Sequence, residues 1–338
     1  VPNFPPEYLA LLRGMESKCS EDWAFLAEYA FAHHENGLLS ESRRLAEKSL
    51  ELNPTNAVAC HSATHVYFEE GEASSGEDFL GTWLDRFDCP ATSYVHLSWH
   101  LDLFELALGK YQGALDRYEE YIRPSVTAKS LATLNDSASL LWRLQIYGGT
   151  PPPKPWDEVR ELAAPAAERS GAAFRDAHAA LAFAGSGDEE AISKMIARLE
   201  VDAEKGNLLA QEMVLPMTRG IHAFGQGDYT ESVRYMEPLF PQLARIGGSH
   251  AQREVFEDTL LEAYLRAEQF EKARDMLNVR LKQRDSVRDT FWLGRVQVGQ
   301  GDTDQAQTSL VAASQAWLGI DPESPEIANL ERLAASVS

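Results

Sequence analysis

The chain has 338 residues, of which 44% are hydrophobic and 25% are charged, and its net charge at pH 7 is −21. This balance predicts an ordered chain with an apolar core, and the acidity excludes general binding to nucleic-acid or anionic membrane phosphates. No apolar run reaches the ~18 residues of a membrane helix, and the first residues lack the pattern of a signal peptide, so we expect a cytoplasmic protein.

Glycines recur between predicted helices along the whole chain. From the N-terminus these turn glycines are Gly37, Gly71, Gly109, Gly187, Gly227 and Gly301. The first two are 34 residues apart, which is the period of tetratricopeptide repeats. Gly109 is followed by Tyr111 and Ala114, which would let two helices pack closely. Because no alternating strand pattern extends beyond a few residues, we predict an all-α, tetratricopeptide-type helical-repeat solenoid of stacked antiparallel helix pairs.

A proline-rich stretch interrupts this pattern near the middle of the chain. The stretch YGGTPPPKPWDE, at 147–158, contains three successive prolines, which cannot lie inside a helix. We therefore predict an N-terminal helical-repeat array at 1–149 and a C-terminal one at 150–338. The two arrays are expected to enclose a concave pocket.

Two further stretches indicate where helices begin or end. The double glycine in ARIGGSHAQRE predicts a helix stop, with Ser249 as the N-cap of the next helix and Gln252 completing a capping box. His33 and His34 lie beside Gly37, at the predicted end of a helix. A cation there favours the helix dipole, so we interpret both histidines as structural.

Two pairs of histidines lie in successive predicted helices, with a spacing of four residues within each pair. The first pair is His61 and His65 in CHSATHVYFEEG, and the second is His96 and His100 in VHLSWH. Using the turn glycines to set the repeat register places both pairs on the stripe that faces the concave groove. Each pair then shares one helix face, with Cβ atoms about 5–6 Å apart. All four imidazoles are therefore predicted on one wall of the groove.

Three interpretations of these four histidines remain open. They meet by chance, or they are acid, base and hydrogen-bonding groups of a polar pocket, or they are ligands of a divalent transition metal. The spacing matches neither HExxH nor Glu-x-x-His, so no particular metal is predicted. The cysteines Cys19, Cys60 and Cys89 also match no zinc or redox spacing, and we expect reduced thiols.

Other polar and aromatic residues of the predicted inner helices are candidates for the same site. Besides the four histidines, the candidate catalytic residues are Asp136, Asp176 and His178, and the candidate substrate-binding residues are Trp99, Trp142, Arg143, His250 and Arg253. An arginine suits a ligand carboxylate, and the tryptophans would supply walls. Asp136 and Arg143 share a helix face, and a solvated or internally paired Asp–Arg is the simpler explanation for them.

Five stretches follow one another in this order: AVACHSATHVYFEEG, ATSYVHLSWHLDLFELALGKYQGALDRYEEYIRPS, LNDSASLLWRLQ, FRDAHAALAF and IGGSHAQREVFEDTLL. Together they resemble the tetratricopeptide repeat protein 38 family, as a divergent, N-terminally shorter member. The positions that match the family are His61, His65, His96, Trp99, His100, Asp136, Arg143, Asp176, His178, Gln252 and Arg253. The chain departs from it at Phe68, where the family tends to have an acidic residue, and at Leu97-Ser98. The resemblance implies a soluble helical-repeat protein whose biochemical role is poorly defined.

Two classes of function fit these observations. In the first, the concave pocket binds a small polar molecule and catalyses acid–base or metal-assisted hydrolysis, cyclisation or rearrangement. In the alternative, the chain is a non-catalytic scaffold that binds a peptide or protein partner in its groove. The sequence contains no recognised nucleophile motif, phosphate loop or cofactor fingerprint.

Overall fold

The structure is a computed structural model that describes residues 6–89, 91–150, 153–321 and 324–337. Within these ranges the secondary structure is helical, with short 3-10 and π-helical turns and no β-strand. The predicted all-α class is confirmed. None of the helices in these ranges combines the length and the hydropathy that a membrane span requires.

The helices before the proline-rich stretch are α1 (Pro6–Cys19), α2 (Trp23–Glu35), α3 (Leu39–Leu52), α4 (Ala57–Glu69), α5 (Ala73–Leu84), α6 (Thr92–Ala107), α7 (Tyr111–Arg117), α8 (Arg123–Thr127) and α9 (Leu134–Ile146). Those after it are α10 (Pro153–Ala163), α11 (Pro165–Glu168), α12 (Ala173–Ser186), α13 (Glu189–Glu204), α14 (Leu215–Gly225), α15 (Tyr229–Met236), α16 (His250–Arg266), α17 (Phe270–Gln283), α18 (Val287–Gln300), α19 (Thr303–Ala316) and α20 (Pro325–Ser336).

Most helices form pairs in which the second helix folds back on the first. α2 packs on α3, α4 on α5 and α6 on α7, and the pairing recurs in α12–α13, α14–α15, α16–α17 and α18–α19. Gly37 joins the two helices of the first pair and Gly71 those of the second, and each has a φ of 73°, in the left-handed region that favours glycine. The second helix of a pair also contacts the first helix of the next, as α3 does with α4. These stacked pairs form the predicted tetratricopeptide-type solenoid.

The proline-rich stretch separates two helices, as predicted. α9 ends at Ile146 and α10 begins at Pro153, while residues 151–152 lie outside the described ranges. Proline is well suited to the first turn of a helix, where its missing N–H is not needed. The division of the chain into an array at 1–149 and an array at 150–338 stays a prediction.

The first helices of successive pairs contact one another and bring distant parts of the chain together. α2 contacts α4, α4 contacts α6, α6 contacts α9, and α16 contacts both α9 and α4. In the contact of α9 with α16, Trp142 donates from Nε1 to the Oγ1 of Thr259 at 2.9 Å. Arg284, which follows α17, donates to the carbonyl of Phe68 in α4 at 3.4 Å. The inner side of the early repeats is therefore bounded by α16 and α17.

The helix start predicted after the double glycine is confirmed. The Oγ of Ser249 accepts from the backbone N–H of Gln252 at 3.4 Å, and the Oε1 of Gln252 accepts from the backbone N–H of Ser249 at 3.0 Å. This reciprocal pair satisfies two N–H groups that the first turn of α16 would otherwise leave without acceptors.

We expect Ser249→Ala to lower the free energy of unfolding by about 1 kcal/mol, because α16 loses its side-chain cap. Ser324→Ala is the matched control, since Ser324 lies at the N-cap of α20 without a side-chain capping bond. We expect the control to change stability by less than about 0.5 kcal/mol. Equal losses for both variants in urea denaturation would contradict the capping role.

Candidate functional site

Four imidazoles converge between α4 and α6. The members of this histidine cluster are His61, His65, His96 and His100. The Nε2 of His61 lies 3.0 Å from the Nε2 of His65. It also lies 3.1 Å from the Nε2 of His96 and 3.1 Å from the Nε2 of His100. The spacing of four aligns each pair on one helix face, and the packing of α4 beside α6 brings the two faces together. The predicted histidine cluster is confirmed.

The Nε2 of His61 has more neighbouring ring nitrogens than it can bond to while the rings are neutral. A neutral ring nitrogen either carries one proton or offers one lone pair, so the Nε2 of His61 cannot bond fully to three neighbours. In the described part of the chain, the Nδ1 atoms of His65 and His100 are buried without a hydrogen-bond partner. The potential ligand nitrogens of His61, His65 and His100 lie within 4.8 Å of one another. Such convergence suits a shared metal ion or a shared polar ligand.

Aromatic rings hold the histidine cluster on two sides. Phe31 in α2 stacks on His61 with 5.3 Å between ring centroids, and Trp99 stacks on His96 at 5.5 Å. Trp99 is fully buried and donates from Nε1 to the Oγ of Ser139 at 3.1 Å. His65 and His100 are buried, whereas His61 is partly exposed and the side chain of His96 is 29% exposed. A ligand would therefore approach from the side of His61 and His96.

Burial keeps three of the four rings neutral. It lowers the pKa of His61, His65 and His100 well below the usual value for histidine, and neighbouring imidazoles lower it further. A neutral imidazole retains a free lone pair, so it can accept a proton or bind a metal ion. The lone pairs of these three rings are therefore available to a metal ion or to a hydrogen-bond donor near neutral pH.

His96 differs from the other three rings because it has a carboxylate partner. Its Nδ1 lies 3.0 Å from the Oδ2 of Asp136 in α9, and Asp136 is 5% exposed. Burial lowers the pKa of His96, but the charge of Asp136 and its hydrogen bond raise it above the usual value. In the neutral ring, Nδ1–H donates a hydrogen bond to Asp136 and Nε2 offers its lone pair towards His61. This carboxylate–imidazole pair orients one ring of the cluster.

A second group of histidines and carboxylates links α4 to α16. The Nδ1 of His250 lies 2.9 Å from both carboxylate oxygens of Glu69, and its Nε2 lies 3.8 Å from the Oε1 of Glu257. The ring of His34 lies beside that of His65, and its Nε2 is 3.9 Å from Glu69. Burial lowers the pKa of His250, but hydrogen bonds to Glu257 and Glu69 raise it to about 10. The structure places His250 in an ion-pair link between distant repeats.

We expect this link to weaken as the pH rises above about 6.5. The pKa of His250 is about 10 in the folded protein, against about 6.5 in the unfolded chain. The stabilisation is therefore complete below the unfolded value and is lost on approach to the folded one. Because the side chain is 34% exposed, we expect a loss of only about 1 kcal/mol. Urea denaturation at about pH 6 and about pH 9 should show a steeper decline for the wild type than for His250→Gln, and parallel declines would contradict the assignment.

Arg143 in α9 is a buried guanidinium without a carboxylate partner. It is 1% exposed, its Nη2 donates to the carbonyl of Ala251 at 2.8 Å, and its Nη1 has no hydrogen-bond partner in the described part of the chain. No Asp or Glu oxygen of the described residues lies within 4.0 Å of it, so the internal Asp136–Arg143 pair does not form. Buried charges are normally paired, because desolvation is costly. Arg143 is therefore suited to bind an anion.

Arg143 lines a cavity of about 540 Å³, a volume typical of ligand sites. The cavity lies between the early repeats and the helices α17–α19. Its apolar lining includes Leu103, Phe104, Leu106 and Ala313, and its charged lining includes Glu254, Asp258, Arg280, Arg284, Arg288 and Asp289. The other three arginines are paired with buried carboxylates. Among the described residues that line the cavity, Arg143 is thus the arginine without a carboxylate partner.

Asp176 and His178, both candidate catalytic residues in α12, are not brought to the histidine cluster. Asp176 pairs with Arg198 at 2.8 Å. The Nδ1 of His178 donates to the carbonyl of Phe174 at 2.7 Å, and burial lowers the pKa of this ring to about 4. Each side chain has a local structural partner, and a catalytic role for either stays a prediction.

Trp142 and Arg253 also lie away from the histidine cluster. Trp142 is fully buried and packs against Phe224, with 5.6 Å between ring centroids. Arg253 donates to the carbonyl of Gly248 at the start of α16. Trp99 is the predicted wall residue that does contact the cluster.

Several residues around the two sites were missed by sequence reasoning. His34 was interpreted as structural, yet its ring contacts the cluster with 4.6 Å between its centroid and that of His65. The arginines Arg280, Arg284 and Arg288 of the cavity look like solvated charges in VRLKQRDSVR. Because α17 ends at Gln283 and α18 begins at Val287, these three arginines do not share one helix, and no helical spacing in the sequence indicates that they meet.

The chain is similar to several solved structures of helical-repeat proteins. A tetratricopeptide repeat protein from Parabacteroides merdae shares 12% identity over 93% of this chain and 98% of that one, with a TM-score of 0.37. Yeast Tom70 shares 10% identity over 98% and 91% of the two chains, with a TM-score of 0.40. The TPR domain of P58(IPK) shares 12% identity over 98% and 93%, with a TM-score of 0.28. TM-scores this low do not establish the fold, which rests on the pairing of the helices in this chain.

No protein-family model matches the chain. The tetratricopeptide-type fold is therefore established by the repeat pattern and by the observed pairing of the helices. Because fold alone does not decide function, the function has to be inferred from the histidine cluster and from the cavity of Arg143.

Proposed function

We propose that this protein is a helical-repeat scaffold whose cavity binds a carboxylate-bearing segment of a partner protein. The observation that carries the proposal is Arg143, a residue of the cavity lining whose buried guanidinium has no carboxylate partner among the described residues. A carboxylate on the partner would accept hydrogen bonds from this guanidinium and neutralise its charge. Helical-repeat solenoids commonly use their inner surface to bind partners in this way.

The cavity also limits the kind of segment that would fit. The apolar wall formed by Leu103, Phe104 and Leu106 would pack against an apolar side chain next to the carboxylate. The net charge of −21 repels acidic partners at long range. We therefore expect a single carboxylate flanked by basic residues, which would face the exposed carboxylates of Glu72 and Asp285 at the cavity.

An array of hexapeptides tests the proposal, with each carboxylate peptide paired with its amide counterpart. We expect the wild type to prefer the carboxylate members, and Arg143→Met to weaken that binding about tenfold or more, since a charge-assisted hydrogen bond is lost. Ala316→Trp would fill the cavity and leave Arg143 in place, so it should also weaken binding. Peptide binding that neither substitution changes would contradict the proposal.

A second candidate function is acid–base chemistry on a small polar molecule at the histidine cluster. It is favoured by the Asp136–His96 pair, in which a buried carboxylate orients a partly exposed imidazole beside neutral rings. Such a pair could transfer a proton in a hydrolysis, cyclisation or rearrangement. Incubating a metabolite extract with the wild type and with His96→Gln tests this. A metabolite consumed by the wild type alone would support it, and identical extracts would exclude it for the metabolites present.

We also propose a relationship to the tetratricopeptide repeat protein 38 family. It is supported by the fact that five of the positions that match the family contact one another in the folded chain. These positions are His61, His65, His96, His100 and Asp136. The cytoplasmic location and the expectation of no nucleic-acid partner stay predictions.

A further inference from the structure

We propose that the histidine cluster binds one divalent transition-metal ion, with the converging nitrogens of His61, His65 and His100 as ligands and with His96 as a fourth after a shift of its ring. The proposal is independent of the scaffold function. In the described part of the chain, none of these four histidines lines the cavity of Arg143. A partner could therefore bind without the metal, and the metal without a partner.

The distances between the ring nitrogens are close to those of a metal-ligand set. Zinc–nitrogen bonds of about 2.0–2.1 Å place two ligands of a tetrahedral site about 3.4 Å apart. The Nε2 of His61 lies 3.0–3.1 Å from those of the other three rings. Ligand nitrogens of His61, His65 and His100 all lie within 4.8 Å of one another, so small outward shifts of these three rings would make room for an ion. The ring of His96 would have to move towards the ion to become the fourth ligand. The ion would accept the lone pairs that the rings cannot all share through hydrogen bonds.

The chemistry of the donors selects the class of metal. All four donors are imidazole nitrogens, which suit zinc, cobalt, nickel or copper rather than magnesium or calcium, whose preferred ligands are oxygens. Asp136 accepts from the Nδ1 of His96 and so fixes the ring with Nε2 directed at the site. The stacking of Phe31 on His61 and of Trp99 on His96 limits ring rotation. These contacts fix the orientation of the ligands before the ion binds.

Calorimetric titration of the untagged full chain with Zn²⁺ alone, after treatment with a chelator, tests the proposal. We expect about one ion per chain, and we expect His61→Ala and His100→Ala each to weaken binding by about 100-fold or more. Asp136→Asn should weaken it by about 10–100-fold, since it removes the partner that orients His96. The matched control is His222→Ala, because His222 lies in α14 beside Glu189, far from the cluster in sequence. Its affinity should equal that of the wild type.

A second measurement keeps the test decisive if an alanine variant fails to fold, as judged by circular dichroism. Co²⁺ added to the wild type should give the intense visible bands of a tetrahedral nitrogen site. An octahedral cobalt spectrum would overturn the proposal, because it would indicate binding to oxygens of the acidic surface. Zinc binding that survives in a folded His61→Ala/His100→Ala double variant would overturn it too. Loss of zinc binding in the folded variants with normal peptide binding would support the metal site independently of the scaffold function.

Discussion

Replacing Arg280 by methionine is expected to lower the free energy of unfolding by about 3–5 kcal/mol. Arg280 donates from Nε to the Oδ2 of Asp289 at 2.8 Å and from Nη1 to the Oδ1 of Asp258 at 2.8 Å. Its Nη2 donates to the Oε1 of Glu254 at 3.2 Å. These three carboxylates are at most 6% exposed. Removing the guanidinium would leave these three carboxylates without the positively charged donor that they share. Water could not replace it, because the region is largely closed to solvent.

The same substitution at Arg143 is the matched control in urea denaturation. Arg143 is equally buried, but among the described residues no carboxylate depends on it. Arg143→Met loses one hydrogen bond to Ala251 and also removes a desolvated charge, so we expect a net change below about 1 kcal/mol. Equal losses at the two positions would contradict the assignment of Arg143 as the unpaired arginine. They would also remove the argument for the carboxylate-binding cavity.

The pH dependence of the Arg280→Met variant adds an independent check. Without Arg280, burial should raise the pKa of Asp289 and Glu254 in the folded variant. The folded variant would then take up protons as the pH falls, and its deficit relative to the wild type should shrink as the pH approaches the unfolded carboxylate values of about 4. Adding Asp289→Asn to Arg280→Met should recover part of the lost free energy of unfolding, because one buried unpaired charge is removed. A deficit that is constant with pH would indicate a packing defect instead.

The fold and the histidine cluster were predictable because both depend on short-range order. A glycine with positive φ ends the first helix of a pair, and this local requirement fixes the register of each repeat. Once Gly71 and Gly109 set the register, the spacing of four in two adjacent helices places His61 and His100 on one wall. Neighbouring helices of a repeat pair stack at a nearly fixed distance, so little error accumulates over one repeat. The distance of 3.1 Å between the Nε2 atoms of these two rings agrees with that geometry.

The closure of the early repeats against α16 and α17 could not be predicted in the same way. It depends on small rotations between repeats, which accumulate over the 181 residues that separate Glu69 from His250. The arginines of the cavity were missed for the same reason, since their carboxylate partners come from other helices. In sequence, Arg280 is indistinguishable from a solvated charge. Arg143 was predicted as an anion anchor, but its lack of a partner is visible only in the folded chain.

Replacing Gly71 by alanine should destabilise the protein by about 2–3 kcal/mol more than the same change at Gly37. Both glycines have a φ of 73°, so alanine costs about 1–2 kcal/mol at either position for the left-handed backbone alone. At Gly37 the new Cβ would meet no atom within 4 Å. At Gly71 it would lie 2.5 Å from the carbonyl oxygen of Asp285, in the link between α17 and α18. Comparing the two variants by urea denaturation isolates the contact between distant repeats.

The same pair of variants separates the two proposed sites. Gly71 and Asp285 lie against each other and both line the cavity of Arg143, so displacing these links should weaken peptide binding in Gly71→Ala. The histidine cluster lies within the contact of α4 with α6, which does not require the distant repeat, so zinc binding should be retained. Equal destabilisation by Gly37→Ala and Gly71→Ala would show that the early repeats do not close against α17 and α18 in solution. The cavity would then be an open surface, and Arg143 would be exposed to water and in no need of an anionic partner.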